Sequence, residues 1–429
     1  MAPAPQRRLQ VLLHGQRVAD LRAGTALELT YTPEMVSELG VGALCLSAAL
    51  PVAAKAYRDS KPGAPRPRRP VEFWCEGLLP EGESRTMLEN RFGVRRGDTF
   101  GLLAAIGADC AGAVSFVGDG GPWPDATAAG APLDAQQLEA AVEALPSRPL
   151  GVDEDVRASL GGLQAKLLLT RTDSGWCRPA GGLPSTHILK PDPRDLRRNG
   201  LVAAEALTLR AATLAGIDAA GVELVTVGDR LAVIVERYDR YRDASGSVLR
   251  IHQEDGCQAM GIDPTFTAKY QSSADKPPSY AELARLLRTH ASDVDAQLTR
   301  LGQQMTLGWA IGNTDGHARN FSLLLVDGVA SLAPAYDVAP TRLFVAGTTS
   351  ALWIDGQATL RWVTRGHLLR EMYQWGMPLQ SAHDVLETTL SALADAIPQA
   401  ADQLGPLLDT DLVDGTLGHL ERMRATSDG

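Results

Sequence analysis

Short apolar runs separated by turn signals dominate the first quarter of the chain. Between residues 9 and 31, apolar residues recur around turn signals at His14-Gly15 and Ala23-Gly24, which predicts a small hairpin-rich start. Residues 83–92 and 99–106 then have helical spacing, and residues 112–116 are apolar enough for a strand. Because residues 118–132 are rich in Gly, Pro and Ala, we predict a linker there.

The pattern changes from strand-like to helical near the middle of the chain. Helices are predicted at 135–144 and 202–215, with strand-like apolar runs at 165–170, 187–190, 222–227 and 231–236. After about residue 250, helical periodicity extends over 280–290, 294–311 and 382–396. Strands with few helices, followed by a mostly helical half, predict an α+β fold built from separate subdomains.

The composition is that of a globular chain with more than one core. The chain has 429 residues, 45% hydrophobic and 21% charged, and so exceeds the size at which one core stops growing. Its formal net charge is -10, and the one short basic patch spans residues 66–69. Because DNA binding requires clustered cations, we expect any contact with DNA to run through a partner protein.

The cysteines and the N-terminus indicate a cytoplasmic chain. The five cysteines are widely spaced and include no Cys-x-x-Cys pair, which predicts reduced thiols. Residues 1–8 lead into a polar-interrupted run rather than an apolar signal core, and no apolar run reaches membrane-spanning length. We therefore expect a cytoplasmic protein that makes no use of a membrane.

The segment 311–322 carries the most specific chemistry in the sequence. Phosphoryl transfer to a hydroxyl needs a carboxylate that accepts the proton and oxygen ligands for the metal ion that neutralises the phosphates. In protein kinases the catalytic Asp precedes a metal-binding Asn by five positions, and Asp315 and Asn320 have this spacing. Asp315 is therefore the candidate catalytic base, and Asn320 is a candidate metal ligand.

A second acidic metal ligand is expected after a short hairpin. Residues 321–326 and 329–332 are strand-like and flank the turn signal Asp327-Gly328, so the chain should return toward Asp337. Asp337 is the candidate magnesium ligand. His317 either takes part in the site, as a base, a metal ligand or a nucleotide contact, or ties the loop to neighbouring backbone, which is the commoner role.

The nucleotide half of such a site should lie upstream. Residues 159–166 form a Gly-containing loop that leads into a strand, and backbone N–H groups of such a loop can bind phosphates. The loop is neither a Walker A motif nor a G-x-G-x-x-G motif. Its candidate nucleotide-binding residues are Gly161, Gly162, Leu163, Gln164 and Lys166.

Lys190, at the end of the predicted strand 187–190, is the candidate for pairing with the α- and β-phosphates. Its expected partner is Glu205 on the following helix, although an exposed helix-surface position is the commoner one for a Glu. The strand 231–236 ends in polar residues, so Glu236 and Tyr238 are candidates for an adenine-binding hinge. ATP and Mg2+ are the cofactors that this set of residues predicts.

These motifs, in this order, resemble those of HipA-like kinases, the toxin components of bacterial toxin–antitoxin pairs. The resemblance covers nearly the whole chain. It is carried by SLGGLQAK (159–166), STHILK (185–190), VERYDR (235–240), HQEDGCQA (252–259), KY (269–270), TDGHARNFS (314–322) and YD (336–337), with GLLP (77–80) and AIGADCAGAV (105–114) in the first subdomain.

The resemblance implies an ATP- and magnesium-dependent serine/threonine kinase with a two-lobed protein-kinase-like fold. An extra N-terminal α/β subdomain is expected in residues 1–125, a nucleotide-binding lobe in 126–245 and an all-helical C-terminal lobe in 246–429. The resemblance supports the roles given above to Asp315, Asn320, Asp337 and Lys190. It adds three residues of a shared motif whose role, structural or functional, stays open: Gln253, Glu254 and Asp255.

The resemblance also implies regulation and partners. Ser159 is the expected autophosphorylation site, because a phosphate there would prevent the loop from covering ATP. Members of this family act as toxins by phosphorylating an aminoacyl-tRNA synthetase, typically the glutamyl enzyme, which halts translation. A small helix-turn-helix antitoxin of the HipB type binds them and represses the operon, so we expect contact with DNA only through the antitoxin.

Two other functions stay open at this point. The chain could be a kinase-shaped binding module that serves as an antitoxin-dependent transcriptional co-repressor, but intact Asp315, Asn320, Asp337 and Lys190 speak against an inactive site. It could also be a metal-dependent hydrolase that uses Asp315, His317 and Asp337. That function leaves Lys190 and the loop around Gly162 without a role.

Overall fold

The computed structural model describes residues 7–61, 64, 68–118, 130–153, 156–162, 164–180, 182–193, 200–244, 246–265, 269–272 and 277–427. The chain forms two compact units. Unit 1 comprises residues 1–188, 239–265 and 324–329, and unit 2 comprises residues 189–238, 266–323 and 330–429. Helices and sheets occur in both, which confirms the predicted α+β class, whereas the domain boundaries at 125 and 245 stay a prediction.

Unit 1 begins with an antiparallel sheet whose strand order is β4-β3-β2-β1-β5. Residues 18–21 of β2 are all buried, as expected for a central strand that is covered on both faces at this point. The sheet packs against the first helices of the unit. These elements are β1 (Arg7–Leu13), β2 (Gln16–Ala23), β3 (Leu27–Tyr31), β4 (Tyr57–Arg58), β5 (Val114–Gly118), α1 (Pro33–Leu39), α2 (Pro70–Gly77), α3 (Gly82–Arg91) and α4 (Thr99–Ile106).

The rest of unit 1 comes from two later stretches of the chain. In the core of unit 1, the ring of Trp74 on α2 packs near that of Phe116 on β5, with 6.0 Å between ring centroids. The remaining elements are α5 (Ala135–Glu143), β6 (Ala131–Pro132), β7 (Leu167–Thr172), β8 (Gly175–Arg178), β12 (Arg240–Arg242), β13 (Val248–Arg250), β14 (His252–Asp255) and α7 (Gly256–Met260). The boundary between the units falls within β9 (His187–Pro191) and within the hairpin β15 (Ser322–Val326) and β16 (Val329–Leu332).

A buried ionic cluster joins these stretches of unit 1. The carboxylate of Asp109 accepts hydrogen bonds from Arg240 at 2.9 Å and from the backbone N–H and hydroxyl of Ser185 at 2.9 and 2.7 Å. Arg250 pairs with the same carboxylate at 3.2 Å, and the Arg240 side chain is only 1% exposed. Because a buried charge is costly unless it is paired and hydrogen-bonded, removing any one member should destabilise the unit.

Unit 2 is mostly helical. α11 packs against α6 and α9, and its buried residues, including Val385, Leu386, Leu390 and Leu393, recur at helical spacing. The elements are α6 (Leu201–Leu214), β10 (Val222–Val227), β11 (Arg230–Glu236), α8 (Tyr280–His290), α9 (Val294–Ile311), β17 (Thr349–Ile354), β18 (Gln357–Thr359), α10 (Arg365–Gln374), α11 (Leu379–Leu404) and α12 (Thr410–Arg424).

Hairpins interrupt the helical half of the chain, so residues 246–429 are not all-helical. β15 and β16 are joined at Asp327-Gly328 as predicted, and β17 and β18 at Asp355-Gly356. All four turn residues have positive φ, between 49° and 75°, which is the backbone that a tight hairpin requires. The second hairpin was not predicted, although Asp355-Gly356 is a turn signal, since its return strand has only three residues and is mostly polar.

Most predicted elements agree with the observed ones to within a few residues. α2 was not predicted, and it begins at Pro70, directly after the short basic patch at residues 66–69. Pro is well suited to a first helical turn, so the same residue can end one pattern and start a helix. Residues 119–129 of the predicted linker lie outside the described residues. In the part that is described, no helix combines the length and apolar character needed to cross a bilayer.

Glu254 gives unit 1 a specific pH dependence. Its side chain is fully buried in β14 and accepts a hydrogen bond from the backbone N–H of Ala48 at 2.8 Å. Burial raises the pKa of Glu254 to about 8, although hydrogen bonds from Ser47 and Ala48 oppose the rise. The folded state therefore keeps a proton that the unfolded state loses near its ordinary pKa of 4.5.

We predict that the free energy of unfolding of the wild type falls as pH rises from about 5 to about 8, relative to Glu254→Gln, because only the wild type must retain that proton. The difference between the two should change by up to about 1.4 kcal/mol per pH unit. Thermal or denaturant unfolding at several pH values measures it. Glu139→Gln, at an exposed position of α5, is the control. Parallel pH profiles for wild type and Glu254→Gln would contradict the prediction.

Candidate active site

Lys190 lies at the centre of a buried ionic cluster in unit 2. Its ammonium group donates hydrogen bonds of 2.7 Å to Glu205 Oε1 and to Asp337 Oδ1. Lys190 is near the end of β9, and Glu205 is on α6, the next helix, where residues 202–209 are all buried. The predicted Lys190–Glu205 pair is therefore present, and Glu205 is not a helix-surface residue.

The charges of this cluster depend on one another. Burial of Lys190 disfavours its charged form, but the carboxylates of Asp337 and Glu205 more than compensate and raise the pKa of Lys190 above its usual value. The side chains of Lys190 and Glu205 are 7% and 5% exposed, whereas that of Asp337 is 47% exposed. One carboxylate thus holds the lysine inside the protein, and the other faces outward.

Asp337 occupies an unusual backbone conformation. Its φ is 56°, a left-handed value that few residues other than Gly adopt. It directly follows Tyr336, whose hydroxyl donates to the backbone oxygen of Arg319 at 2.6 Å and contacts the Ser322 hydroxyl at 2.7 Å. The Tyr336 hydroxyl thus ties the returning chain to Arg319, just before β15, and to Ser322, the first residue of β15. The carboxylate of Asp337 is directed toward Lys190.

Asn320 joins the loop of Asp315 to Asp337. Its side-chain nitrogen donates to the backbone oxygen of Asp315 at 3.1 Å and to that of Asp337 at 3.4 Å. Asn320 ends the 3-10 helix Ala318–Asn320 and is 7% exposed, while Asp315 is exposed. The three residues predicted from spacing therefore lie together, with the amide as the link between the two acidic residues.

Sequence reasoning missed the residues that hold this loop in place. Asn313 accepts a hydrogen bond from the backbone N–H of Asp315 at 3.0 Å, and Thr341 accepts one from the backbone N–H of Thr314 at 2.8 Å. Asn313 stands next to the quoted motif, so its proximity was the available signal. Thr341 had none, because it reaches the loop only through the tertiary fold.

His317 is buried beside this loop. Burial and the nearby charge of Lys269 lower its pKa to about 3, despite the opposing effect of Asp337, so the imidazole is neutral at physiological pH. Its ring packs edge-on against Tyr270, with 5.4 Å between centroids. A buried, packed imidazole with so low a pKa is a weak proton acceptor, so the structural role fits His317 better than that of a base.

The loop expected to bind phosphates belongs to unit 1. The Lys166 ammonium donates to the backbone oxygen of Gly161 at 2.6 Å and thereby closes the loop on itself. Gly162 has a φ of 105°, and a Cβ there would approach that ammonium to 2.6 Å, so only Gly suits this position. The side-chain nitrogen of Gln164 is buried and has no hydrogen-bond partner among the described residues, and Leu163 lies outside them. Nucleotide binding by this loop stays a prediction.

The hinge candidates lie at and just after the end of β11 in unit 2. The backbone N–H of Glu236 donates to the oxygen of Gly221 at 2.8 Å, and its side chain is exposed. The ring of Tyr238 packs on that of Tyr336 with 5.3 Å between centroids, next to Asp337. Tyr238 therefore packs against the residue that precedes Asp337, the predicted metal ligand. The adenine contact of Glu236 and Tyr238 stays a prediction.

Gln253, Glu254 and Asp255 have structural contacts in unit 1. Gln253 lies 3.4 Å from Asp239 Oδ2, and Glu254 holds the backbone of Ala48 as described above. Asp255 caps the N-terminus of α7, where its side chain accepts from the N–H of Gln258 at 2.9 Å. These contacts give each of the three residues a structural role, and none of them requires a catalytic one.

The oxygen donors of unit 2 suit a magnesium ion that is shared with phosphates. Among the described residues no three His, Cys, Asp or Glu side chains come together as a metal site. Mg2+ does not need such a cage, because it is usually held by one or two carboxylates, water and substrate phosphates. The half-exposed carboxylate of Asp337 and the amide of Asn320 fit that donor set.

Comparisons with known proteins place the chain in a family. Residues 9–117 match the HipA N-terminal domain, and residues 158–400 match the HipA-like C-terminal domain. The second match alone covers more than half of the chain. The chain belongs to the HipA-like kinase family. The resemblance inferred from the motifs is thereby confirmed.

Similar proteins agree with this assignment. The Sinorhizobium fredii protein named "Putative kinase Y4mE" is 37% identical over 68% of this chain and 69% of its own length. The serine/threonine-protein kinase toxin HipA of Shewanella oneidensis is 29% identical over 80% of this chain and 79% of its own. A solved structure of Shewanella oneidensis HipA with HipB and operator DNA matches with a TM-score of 0.79 and 25% identity, over 97% of this chain and 96% of that one.

Membership in a kinase family favours a kinase over the metal-dependent hydrolase. In this HipA-like kinase the hydrolase hypothesis has lost its support, since it gave Lys190 no role, whereas Lys190 is the centre of the ionic cluster.

We predict that Lys190→Met destabilises unit 2 by about 3 kcal/mol, because it leaves the Glu205 carboxylate buried without a cation. The double variant Lys190→Met/Glu205→Gln should recover part of the loss, since the uncompensated charge is then gone. Thermal unfolding followed by calorimetry measures both.

The matched control is Arg300→Met, which breaks an ion pair of the same unit with the more exposed Asp218. That change should cost about 1 kcal/mol or less. A double variant less stable than Lys190→Met would contradict the explanation by an uncompensated buried charge.

Proposed function

We propose that the chain is an ATP- and magnesium-dependent serine/threonine kinase that acts as a toxin. The observation that carries the proposal is the connected set of contacts in unit 2: Lys190 holds Asp337 and Glu205, and Asn320 bonds to the backbone of both Asp315 and Asp337. A base, a metal ligand pair and a phosphate-binding cation are the groups that phosphoryl transfer needs.

Each residue has a distinct role in the proposed reaction. Asp315 accepts the proton of the acceptor hydroxyl, whose oxygen forms a bond to the γ-phosphorus of ATP. The bond from that phosphorus to the β,γ-bridging oxygen breaks, and ADP leaves with the bonding electron pair. Lys190 stays cationic because of the carboxylates of Asp337 and Glu205, and it binds the negative phosphate oxygens.

Asp337 and Asn320 would hold the magnesium ion. When bound, the ion would neutralise charge on the phosphate oxygens. To bind the magnesium ion, the Asp337 carboxylate must either share the Lys190 ammonium group with the phosphates or give up its ion pair with Lys190. Its 47% exposure, compared with 5% for Glu205, makes Asp337 the partner that can turn toward a ligand.

The proposed substrate is an aminoacyl-tRNA synthetase, with the glutamyl enzyme as the family default. Phosphorylation of its serine would inhibit translation. The proposed partner is a small helix-turn-helix antitoxin of the HipB type, and DNA would be reached only through it. Support comes from the match to a HipA solved together with HipB and operator DNA, and the chain's net charge of -10 fits indirect contact with DNA. The proposed location is the cytoplasm.

Ser159 is the proposed autophosphorylation site. In unit 1 its side chain is fully buried, and its hydroxyl donates to the backbone oxygen of Leu78 at 2.6 Å. A phosphate group adds about two negative charges and cannot occupy a buried position that offers a carbonyl oxygen. Phosphorylation would therefore require the segment around Ser159 to leave its position and would keep it from returning.

We predict that Asp315→Asn lowers the rate of phosphate transfer by roughly 100-fold or more, the usual contribution of a general base, while affinity for ATP changes little. Labelled ATP with glutamyl-tRNA synthetase as acceptor, and calorimetric titration with ATP and Mg2+, give the two numbers. Expression of wild type should arrest growth, and expression of Asp315→Asn should not.

Asp395→Asn, an exposed position of α11, is the control that keeps the same chemical change away from the site. Growth arrest that survives in Asp315→Asn would favour the binding module, in which the chain acts as a co-repressor with its antitoxin. Transfer that is independent of Asp315 would refute the proposed base.

We predict that ATP and Mg2+ lead to phosphorylation of Ser159 and then to faster trypsin cleavage after Lys166. Lys166 is 8% exposed and bonded to Gly161 in the same segment, so cleavage there reports release of the segment. Mass spectrometry locates the phosphate, and limited proteolysis gives the cleavage rate. The Ser159→Ala variant should gain no phosphate at this position, and its cleavage rate should not respond to ATP. Phosphorylated protein that is cleaved as slowly as unmodified protein would contradict the release.

A further inference from the structure

A tyrosine from outside the catalytic loop contacts the proposed base. The hydroxyl of Tyr270 donates a hydrogen bond of 2.8 Å to Asp315 Oδ1, although 45 positions separate the two residues. Both belong to unit 2. Neither the spacing of the kinase motif nor the roles proposed above involve Tyr270.

The short segment that carries Tyr270 is anchored on both sides. The backbone oxygen of Lys269 accepts from the N–H of Ala318 at 3.3 Å, which ties the segment to the catalytic loop. Gln271 donates its backbone N–H to Ala351 at 2.9 Å, and its side chain accepts from the N–H of Trp353 at 2.7 Å. The residues on either side of Tyr270 are thus bonded to the loop and to β17.

The aromatic ring is also held in place. It packs edge-on against the buried His317, and the Lys269 ammonium lies 5.8 Å from its centroid. His317 and Lys269 are 7% and 2% exposed, so the groups that flank the ring have little freedom themselves. With the ring fixed, the direction of the Tyr270 hydroxyl toward Asp315 is a built feature.

Asp315 needs such a contact because its side chain is exposed. The backbone of Asp315 is fixed by Asn313, Asn320 and the N–H of His317, but none of these bonds sets the rotation of the carboxylate. A general base must meet the acceptor hydroxyl at hydrogen-bonding distance and in the right orientation. A hydrogen bond to one carboxylate oxygen sets the plane of both.

We infer that Tyr270 is a positioning residue for the base Asp315. This inference rests on the proposed kinase function and adds to it a residue that touches neither ATP nor the acceptor. Loss of the hydroxyl lets the carboxylate rotate, which slows the transfer step without changing the residues that bind the nucleotide.

The test is Tyr270→Phe in the full-length protein, a change that keeps the ring contacts with His317 and Lys269 and removes only the hydroxyl. Transfer of labelled γ-phosphate from ATP is followed to glutamyl-tRNA synthetase and to the chain itself. We expect apparent kcat to fall by about tenfold, a typical cost of a misplaced catalytic group, with KM for ATP changed by less than about twofold. In the Asp315→Asn background the same change should have no further effect, because Tyr270 acts through Asp315.

Tyr373→Phe removes a hydroxyl from an exposed tyrosine of α10 and serves as the control, with apparent kcat equal to that of the wild type. An unchanged or raised kcat in Tyr270→Phe, or a fall that persists in the Asp315→Asn background, would overturn the positioning role. So would a lowered melting temperature accompanied by equal losses in kcat and in ATP affinity, since that result describes a structural residue. If the wild type shows no transfer that depends on Asp315, the proposed function fails and the inference fails with it.

Discussion

The ion pair between Lys190 and Glu205 is the interaction on which the rest of the site depends. A lysine that is 6% exposed keeps its charge because the carboxylates of Asp337 and Glu205 compensate for lost hydration, and of these two Glu205 is as deeply buried as the lysine. The position of Glu205 is fixed by α6, whose buried face extends over two turns and more. The packing of α6 therefore holds the Glu205 carboxylate beside the buried ammonium group of Lys190. That ammonium group also pairs with a second, more exposed carboxylate, Asp337.

The loop around Asp315 is stabilised in a different way, through hydrogen bonds to its backbone. Asn313, Asn320 and Thr341 each bond to main-chain groups of this loop, and the hydroxyl of Tyr270 bonds to the carboxylate of Asp315. Backbone groups held in this manner fix a loop that has little regular structure of its own. The arrangement leaves a reactive side chain on a rigid support.

The sequence predicted the residues whose spacing is local, and it failed where contacts are made only by the tertiary fold. Asp315 and Asn320 share one segment, and the turn Asp327-Gly328 brings Asp337 back to it, so a pattern of hairpin and spacing was enough. Glu205 could be named but not placed, since a Glu in an Ala-rich helix is usually exposed. Thr341 and Tyr270 could not be given roles, because no local pattern links them to a loop that they reach from other parts of unit 2. The burial of Ser159 could not be predicted either, because its hydroxyl bonds to the carbonyl of Leu78, 81 positions away in the sequence.

Burial differs between the two sides of the cluster in unit 2, and this difference constrains the direction of the proposed reaction. Glu205 and Lys190 are enclosed, whereas Asp337 and Asp315 are exposed. A folded protein acceptor can bring its serine only to atoms that reach the surface, so it must approach from the side of Asp315. The phosphoryl group would then move from the enclosed cation toward the exposed carboxylate. Because the side chain of Asp315 is exposed, core packing does not hold the base, and the hydrogen bond from Tyr270 supplies the contact that does.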